Sequence, residues 1–359
     1  MNAKRLRIGI DAHVVTGRFQ GTRTTLTRLL QALARRAPPH DVFIYSEDPV
    51  VAKSSIGDSN FRHEKIEQGG GIKRLLKIFP RIFQRDHIDV GIFQYNTPLL
   101  SKTKNIVFIH DILPMTHPQF FPIVNRIRIW IFFSISIARS SLVVTVSEYT
   151  RQQVLRFYRL APNRVLTILN GPSFNPACYN LPRLKPANPY VLAVGRIEER
   201  KNIHLLVDAF HKTNVEANLI VVGAFDLGFK YEFPNDSRIE SRKGLGDLSL
   251  IELYRGASLF VYPSAAEGFG LPLLDAMLFG VPTIASCLTA MEEIAGNMIE
   301  TFDPTDPSAC DWLAARITSH FAEKPVAALD TVQRTALAGR FNWDNAADRL
   351  IKAVETVAI

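Results

Sequence analysis

The sequence predicts an α/β chain of two domains, each built on a parallel β-sheet covered by helices. Three observations predict it. Short apolar runs alternate with helix-period stretches along the chain, the pattern of parallel strands joined by crossover helices. A proline-rich interruption at residues 172–189 divides that alternation into two rounds. The length of 359 residues exceeds the usual single domain of about 100–200.

The first round opens with a short buried strand at residues 6–11. Residues 22–36 place Leu26, Leu29, Leu30 and Leu33 at helical spacing, then end in Arg35 and Arg36 ahead of Pro38 and Pro39. Strands follow at 42–46, 90–94, 105–110 and 142–146. Residues 172–189 hold five prolines and show neither period, which predicts an interdomain linker. The alternation then restarts: strand 190–194, helix 202–213, strand 217–222, helix 248–255, strand 259–261, helix 272–279 and strand 282–285. The expected domains are therefore 1–175 and 190–340, with a linker at 176–189 and a last helix within 341–359.

Composition narrows the function. Hydrophobic residues make up 47% and charged residues 21%, ordinary for a chain with a sizeable core. Cys178, Cys287 and Cys310 are odd in number and widely spaced, so neither a disulfide framework nor a zinc site is expected, and a reducing cytoplasm fits. No signal-type apolar core precedes the first strand. The most apolar stretch, residues 129–138, falls short of the roughly 20 residues a membrane-spanning helix needs. The net charge of +8 is uneven. Residues 1–180 carry 25 Lys and Arg against 11 Asp and Glu, whereas residues 181–359 carry 17 against 23. A positive first half suits an anionic partner: a phosphorylated substrate, anionic lipid or nucleic acid.

Two segments of the second round suit chemistry on a diphosphate. In Glu267-Gly-Phe-Gly270-Leu-Pro272 the glycines let backbone N–H groups approach a ligand, and the helix start adds partial positive charge. Glu267 on the loop and Asp275 on the helix suit hydroxyls at two ends of an elongated ligand. The same residues also suit a plain turn joining strand to helix. In Gly195-Arg196-Ile-Glu-Glu-Arg-Lys201-Asn202, Arg196 offers a planar fork of donors and Lys201 a point charge. A surface charge cluster of Glu198, Glu199 and Arg200 is the alternative there. In the first round, His110-Asp111 ends a strand, where parallel sheets place ligands, although a lone histidine is as often structural. Gly17-Arg-Phe-Gln-Gly21 is a glycine-bearing turn into a helix, but it lacks the dinucleotide fingerprint.

Glu267-Gly-Phe-Gly-Leu-Pro, Asp275-Ala-Met and Gly280-Val-Pro, preceded by Val194-Gly195-Arg196 and Lys201-Asn202, resemble the retaining glycosyltransferases of family four. Gly9-Ile-Asp-Ala12, His110-Asp111, Val146-Ser-Glu-Tyr-Thr150, Asn170-Gly171, Leu253-Tyr254 with Ala257, and Phe341-Asn-Trp343 extend the resemblance through most of the chain. The resemblance implies the GT-B fold, two Rossmann-like domains with parallel sheets facing a central cleft. The length and opening are similar to bacterial mannosyltransferases of polysaccharide and O-antigen assembly.

The resemblance also implies roles. Arg196 and Lys201 would neutralise the departing diphosphate, Glu267 would contact the donor sugar, and N–H groups of Gly268, Phe269, Gly270 and Leu271 the sugar and phosphate. Asp275 would hold the ribose hydroxyls, His110 would lie beside the donor sugar, Gly21 would approach the phosphates, and Leu245 would lie against the nucleobase. The last helix would cross back to the first domain. The family usually has glutamate where this chain has Asp275, one methylene shorter.

The expected partners are a nucleotide sugar, with GDP-mannose favoured, and a lipid-diphosphate-linked saccharide. An anionic membrane surface is a further candidate; nucleic acid is not expected, since it leaves the Gly loop unexplained. No cofactor and no metal are expected, because Arg196 and Lys201 would serve as the cations and no Asp-x-Asp is present. Residues 73–85 mix cations with large apolar groups, as interfacial segments do, and equally suit a helix packed on the sheet. The rival readings are an NAD-dependent oxidoreductase, which lacks its Gly-rich fingerprint, and an inactive homologue acting as a binding partner.

Overall fold

The computed structural model describes residues 5–17, 21–99, 101–226 and 228–359. Arg18, Phe19 and Gln20 of the first glycine turn lie outside the described residues. The chain divides into two compact units, Met1–Gly171 with Phe341–Ile359, and Pro172–Arg340.

The first unit is built on strands β1 (Arg7–Asp11), β2 (Asp41–Ser46), β3 (Arg62–Lys65), β4 (Val90–Gln94), β5 (Lys104–Ile109), β6 (Leu142–Thr145) and β7 (Val165–Thr167). They lie in the order β3-β2-β1-β4-β5-β6-β7. The second unit carries β8 (Tyr190–Val194), β9 (Asn218–Val222), β10 (Ile239–Arg242), β11 (Leu259–Tyr262), β12 (Thr283–Ser286) and β13 (Glu300–Phe302). Their order is β10-β9-β8-β11-β12-β13. Every strand pair is parallel. Each sheet reverses its strand order once, between β1 and β4 and between β8 and β11. These are doubly wound sheets.

The central strands are covered on both faces, so their residues are apolar without alternation; all five residues of β4 are buried. Helix ends follow their side chains. Ser147 accepts from the Thr150 N–H at 3.1 Å and starts the helix Glu148–Tyr158, and Asn342 accepts from Asp344 at 2.7 Å and starts Trp343–Ala358. Such caps contribute about 1 kcal/mol each.

That last helix packs in the core of the first unit with the helix Gly21–Arg36, through Trp343, Leu350 and Val354. Arg35 reaches Asp344 at 2.7 Å and Arg36 Nε reaches Asp348 at 2.7 Å along its edge. Gly171 lies flat against Trp343: a Cβ there would stand 2.6 Å from the indole, so no larger residue fits.

One segment differs from the sequence expectation, and a second takes one of the two readings it allowed. Residues 176–189 are not a free linker. Pro176–Asn180 forms a 3-10 turn with Tyr179 buried, and Phe174 and Tyr179 pack on Tyr254 and Phe279, within the second unit. Aromatic side chains outweigh the prolines there. Residues 73–85 take the second of their two readings, a segment packed on the sheet. Leu75 is buried, and Ile78, Phe79 and Phe83 are buried with Phe43, Tyr45 and Phe93 in one core cluster. Three of their five cations are engaged elsewhere: Lys73 with Glu67, Arg74 with Asp11 and His13, and Arg85 with Asp86, whereas Lys77 and Arg81 are exposed. Among the described residues no helix is long and apolar enough to cross a membrane.

Candidate active site

In the second unit the strand order reverses between β8 and β11, which pair through Leu259 with Val191 and Phe260 with Leu192. Ligands of open parallel sheets sit outside the carboxyl ends at such a reversal. The two segments leaving those ends bring together a buried carboxylate and two cations. After β8, the 3-10 turn Glu199–Lys201 presents Arg200 and Lys201. After β11, the loop presents Glu267. The segments are joined through their backbones, Ala265 N–H donating to the Arg200 carbonyl at 2.8 Å.

Glu267 is 7% exposed, and its two oxygens are held separately. Oε1 accepts from the Lys201 ammonium and from the Tyr262 hydroxyl at 2.9 Å. Oε2 accepts from Arg200 at 3.0 Å. Lys201 also donates to the Tyr262 oxygen at 3.1 Å, and Arg200 to the Ala266 carbonyl at 2.9 Å. The Glu267 N–H donates to Thr289 at 3.0 Å.

Burial by itself pushes the Glu267 carboxyl up. The Lys201 and Arg200 charges, with the hydrogen bonds from Lys201 and Tyr262, outweigh it and hold the pKa down at about 2. Burial pushes Lys201 below its ordinary value, against the pull of Glu267, and the neighbouring Arg200 adds to the lowering. Burial and Glu267 raise the Tyr262 phenol well above its ordinary value, so it stays a donor. The result is one carboxylate facing a dehydrated ammonium and a partly buried guanidinium, which also pairs with Glu198 at 2.7 Å.

Beside Glu267, Gly268 and Phe269 are buried and Gly270 takes a φ of 123°, a conformation that favours glycine. The helix Leu271–Leu278 begins there beside the glutamate loop, with Pro272, which has no N–H, in its first turn and the Leu273 and Leu274 N–H groups donating to the Gly270 carbonyl at 3.0 and 3.2 Å. Leu245 is half-buried in the turn between β10 and the helix Asp247–Gly256.

Two expected site residues stand differently. Arg196 is not beside Glu267; it pairs with Asp226 at 3.3 Å, and both side chains are more than 40% exposed. The surface cation expected in a bland charge cluster, Arg200, occupies the place beside Glu267. Asp275 is buried, and its Oδ1 accepts from the Ser173 N–H at 2.9 Å and the Tyr179 hydroxyl at 2.6 Å. It ties residues 173–179 to the helix.

In the first unit, His110 follows β5 and is buried. Its Nε2 lies 2.6 Å from the Gln94 side-chain oxygen at the end of β4, and its ring lies against Tyr95. Burial lowers its pKa to about 4, so the ring is neutral near pH 7. Asp111 accepts from the Leu113 N–H at 3.1 Å. Gly21 is the first residue of its helix, with open space where a Cβ would stand. A further cluster sits at the end of β1: Asp11 lies 2.7 Å from His13 Nδ1, and Arg74 lies 3.0 Å from His13 Nε2.

Sequence reasoning missed Arg200, Tyr262 and the Asp11–His13–Arg74 group. Tyr262 had a signal, a phenol at the last position of a buried strand entering the glutamate loop. Among the described residues no group of His, Cys, Asp and Glu is arranged to hold a metal.

A GT-B fold with buried charges at the strand-order reversal is the architecture of a glycosyltransferase, and comparison with known proteins agrees. Residues 182–328 match the family model described as glycosyl transferases group 1, and residues 19–172 match glycosyltransferase family 4. The chain is 30% identical over 270 residues to O-antigen chain mannosyltransferase B of Escherichia coli, covering 69% of each protein. It is 28% identical over 227 residues to O-antigen chain mannosyltransferase RfbU of Salmonella typhimurium, covering 62% of each. It also matches the Escherichia coli serotype-specific mannosyltransferase WbdA at 27% identity, over 36% of that longer protein. Among solved structures, sucrose-phosphate synthase from Thermosynechococcus elongatus superposes with a TM-score of 0.77 at 18% identity, covering 98% of this chain and 99% of that one. HepE of Anabaena, in complex with UDP and glucose, gives 0.74 at 16% identity, covering 98% and 100%. The chain belongs to glycosyltransferase family four, and the oxidoreductase alternative falls.

Proposed function

We propose that this glycosyltransferase moves mannose from GDP-mannose to a lipid-diphosphate-linked saccharide during cell-surface polysaccharide assembly, with retention at the anomeric carbon. The observation that carries the donor half is the buried Lys201–Glu267 pair, with Arg200 on its other oxygen, outside β8 and β11 and next to a glycine-lined helix start. The mannosyl donor and the saccharide acceptor are taken from the names of the O-antigen relatives.

In the proposed reaction the bond between the sugar's anomeric carbon and the β-phosphate oxygen breaks, and the acceptor hydroxyl oxygen bonds to that carbon. The hydroxyl proton passes to the departing β-phosphate. Negative charge grows on the diphosphate as the bond breaks, and Lys201 stabilises it because it is already stripped of water. Arg196 joins by leaving Asp226. An exposed pair of that kind holds by about 0–1 kcal/mol, so the exchange is easy. Glu267 seats the sugar hydroxyls while Arg200 and Tyr262 hold it in place, and N–H groups from Gly268 to Leu271 meet sugar and phosphate. Leu245 lies against the base. Asp275 reaches ribose by exchanging the Tyr179 hydroxyl for a sugar hydroxyl. For His110, a neutral ring, and Gly21, both in the first unit, the assigned roles towards sugar and phosphates rest on the family resemblance alone. No metal takes part.

A thermal-shift panel of GDP-, UDP- and ADP-sugars tests the donor, and the anomeric configuration of the product by NMR tests retention. Stabilisation by UDP-sugars alone would replace GDP-mannose. An inverted product would overturn the mechanism.

A further inference from the structure

The helix Ile123–Arg139 of the first unit has two unlike faces. Phe133, Ser136 and Ile137 are buried against the sheet, and Ser136 accepts from the Thr97 N–H at 3.1 Å. On the opposite side Ile123, Val124, Ile127, Trp130 and Ile131 are 58%, 73%, 52%, 49% and 43% exposed. Val124, Ile127, Arg128 and Ile131 recur at helical spacing and, with Phe132, line an open concavity of about 340 Å³. A contiguous apolar face of this size on a folded surface marks an interaction site.

The charge around it selects the partner. No Asp or Glu occurs from residue 112 to residue 147, whereas Arg126, Arg128 and Arg139 lie on this helix, with Arg128 and Arg139 exposed. A protein partner's apolar patch would not require such one-signed flanks. An anionic bilayer does: isoleucines and a tryptophan enter the acyl boundary while guanidinium groups remain among the lipid phosphates.

We infer that the outer face of Ile123–Arg139 lies on the surface of an anionic phospholipid membrane. Its evidence is independent of the transfer chemistry, and it deepens the proposed reading by saying how the chain meets a lipid-borne acceptor. The helix also has a second connection. Phe133 on its inner face stacks on Tyr95, whose ring lies against His110, so the docking face stands about one helix diameter (~10 Å) from that end of the sheet. A head group held at the bilayer surface would be presented close to His110.

The test is flotation of the full chain with phosphatidylcholine vesicles, with and without phosphatidylglycerol, at low and high salt. Salt-sensitive binding to the phosphatidylglycerol vesicles is expected, with a blue shift of Trp130 emission. The pair Ile127→Ser and Ile131→Ser should weaken partitioning at least about tenfold. Arg128→Gln should weaken it about fivefold, and Leu248→Ser, at an 80% exposed leucine of the second unit, should leave it unchanged. The inference is overturned if the wild-type chain ignores both vesicles, or if the isoleucine pair binds as well as wild type. It is equally overturned if the wild-type chain is a dimer that the same pair dissociates. Donor hydrolysis in vesicle-free solution should persist in every variant. Its absence from the wild-type chain would instead count against the transfer reading, leaving the docking surface standing.

Discussion

Removing one member of the Lys201–Glu267 pair should harm the second unit in a way that depends on which member is removed. Lys201 and Glu267 have side chains 11% and 9% exposed, so water cannot replace a lost partner. Breaking a buried pair from one side typically costs about 3–5 kcal/mol. In Glu267→Gln, the buried Lys201 ammonium faces a neutral amide and Arg200 keeps only Glu198 at 2.7 Å, which places the cost at the upper end of that range. In Lys201→Met, Glu267 keeps Arg200 at 3.0 Å and the Tyr262 hydroxyl at 2.9 Å, which places it at the lower end. The double variant removes both members, and its cost should fall well below the sum of the singles. Calorimetry of the full chain measures this, since each kcal/mol moves the transition of a unit this size by about 2–4 °C. The Glu267→Gln transition should drop by roughly 10–20 °C, and inorganic pyrophosphate should restore part of it by supplying the missing negative charge. Additive costs, or equal costs for the two singles, would refute the geometry of the site.

The remaining predictions concern His110, Tyr179, Lys201 and the metal. His110 has its pKa lowered to about 4 from 6.5, so the unfolded chain takes up the proton first. Stability should therefore fall as pH drops from 6.5 towards 4, by about 3 kcal/mol for this group, and urea titrations of His110→Asn should lack that part of the slope. Tyr179→Phe removes a donor from the buried Asp275 carboxylate and an acceptor from the Phe174 N–H. A loss of about 1–3 kcal/mol in urea unfolding is expected, and unchanged stability would show that the clamp on Asp275 is not formed. Lys201→Ala should lose turnover far more than acceptor binding, as steady-state kinetics would show. Transfer should continue in chelator, and activity restored only by manganese would refute a metal-free site.

Much of this fold was legible because the central strands of a doubly wound sheet are apolar on both faces. Val90–Gln94 and Tyr190–Val194 announce themselves as short runs for that reason. The edges gave no such signal: Arg62–Lys65 is Arg-His-Glu-Lys and Ile239–Arg242 is Ile-Glu-Ser-Arg, polar stretches defined by the neighbour they pair with. Residues 73–85 were legible as amphipathic, but the period of a helix does not say what its apolar face meets. In the site, the loop Glu267–Gly270 was readable from its glycines, whereas the choice among Arg196, Arg200 and Lys201 was not. That choice is made by the 3-10 turn Glu199–Lys201, closed by Asn202 at a φ of 55°, which turns Arg200 and Lys201 together towards a strand distant in sequence.

On the proposed reading the donor site draws on three cations, Lys201 and Arg200 beside Glu267 and Arg196 apart from it. A buried ion pair adds little net stability compared with apolar packing, since dehydrating both charges consumes most of their attraction. Lys201 and Glu267 are thus poorly justified as structural elements, and their position outside the β8–β11 reversal suits a ligand better than a core. On the proposed reading, Glu267 keeps Lys201 dry and oriented until a diphosphate arrives, and the incoming phosphates then meet an ammonium that has little water left to lose. Arg200 makes the exchange reversible: held to Glu267 Oε2 and the Ala266 carbonyl, it keeps the carboxylate neutralised when Lys201 turns to the phosphate. Exposed Arg196, bound only loosely to Asp226, supplies the mobile charge. Replacing Arg200 should therefore raise the donor KM by exposing an uncompensated carboxylate to the phosphates, while replacing Arg196 should chiefly slow the departure of the diphosphate. Steady-state kinetics on the two variants separates these effects, and identical profiles would mean the two arginines are interchangeable charges.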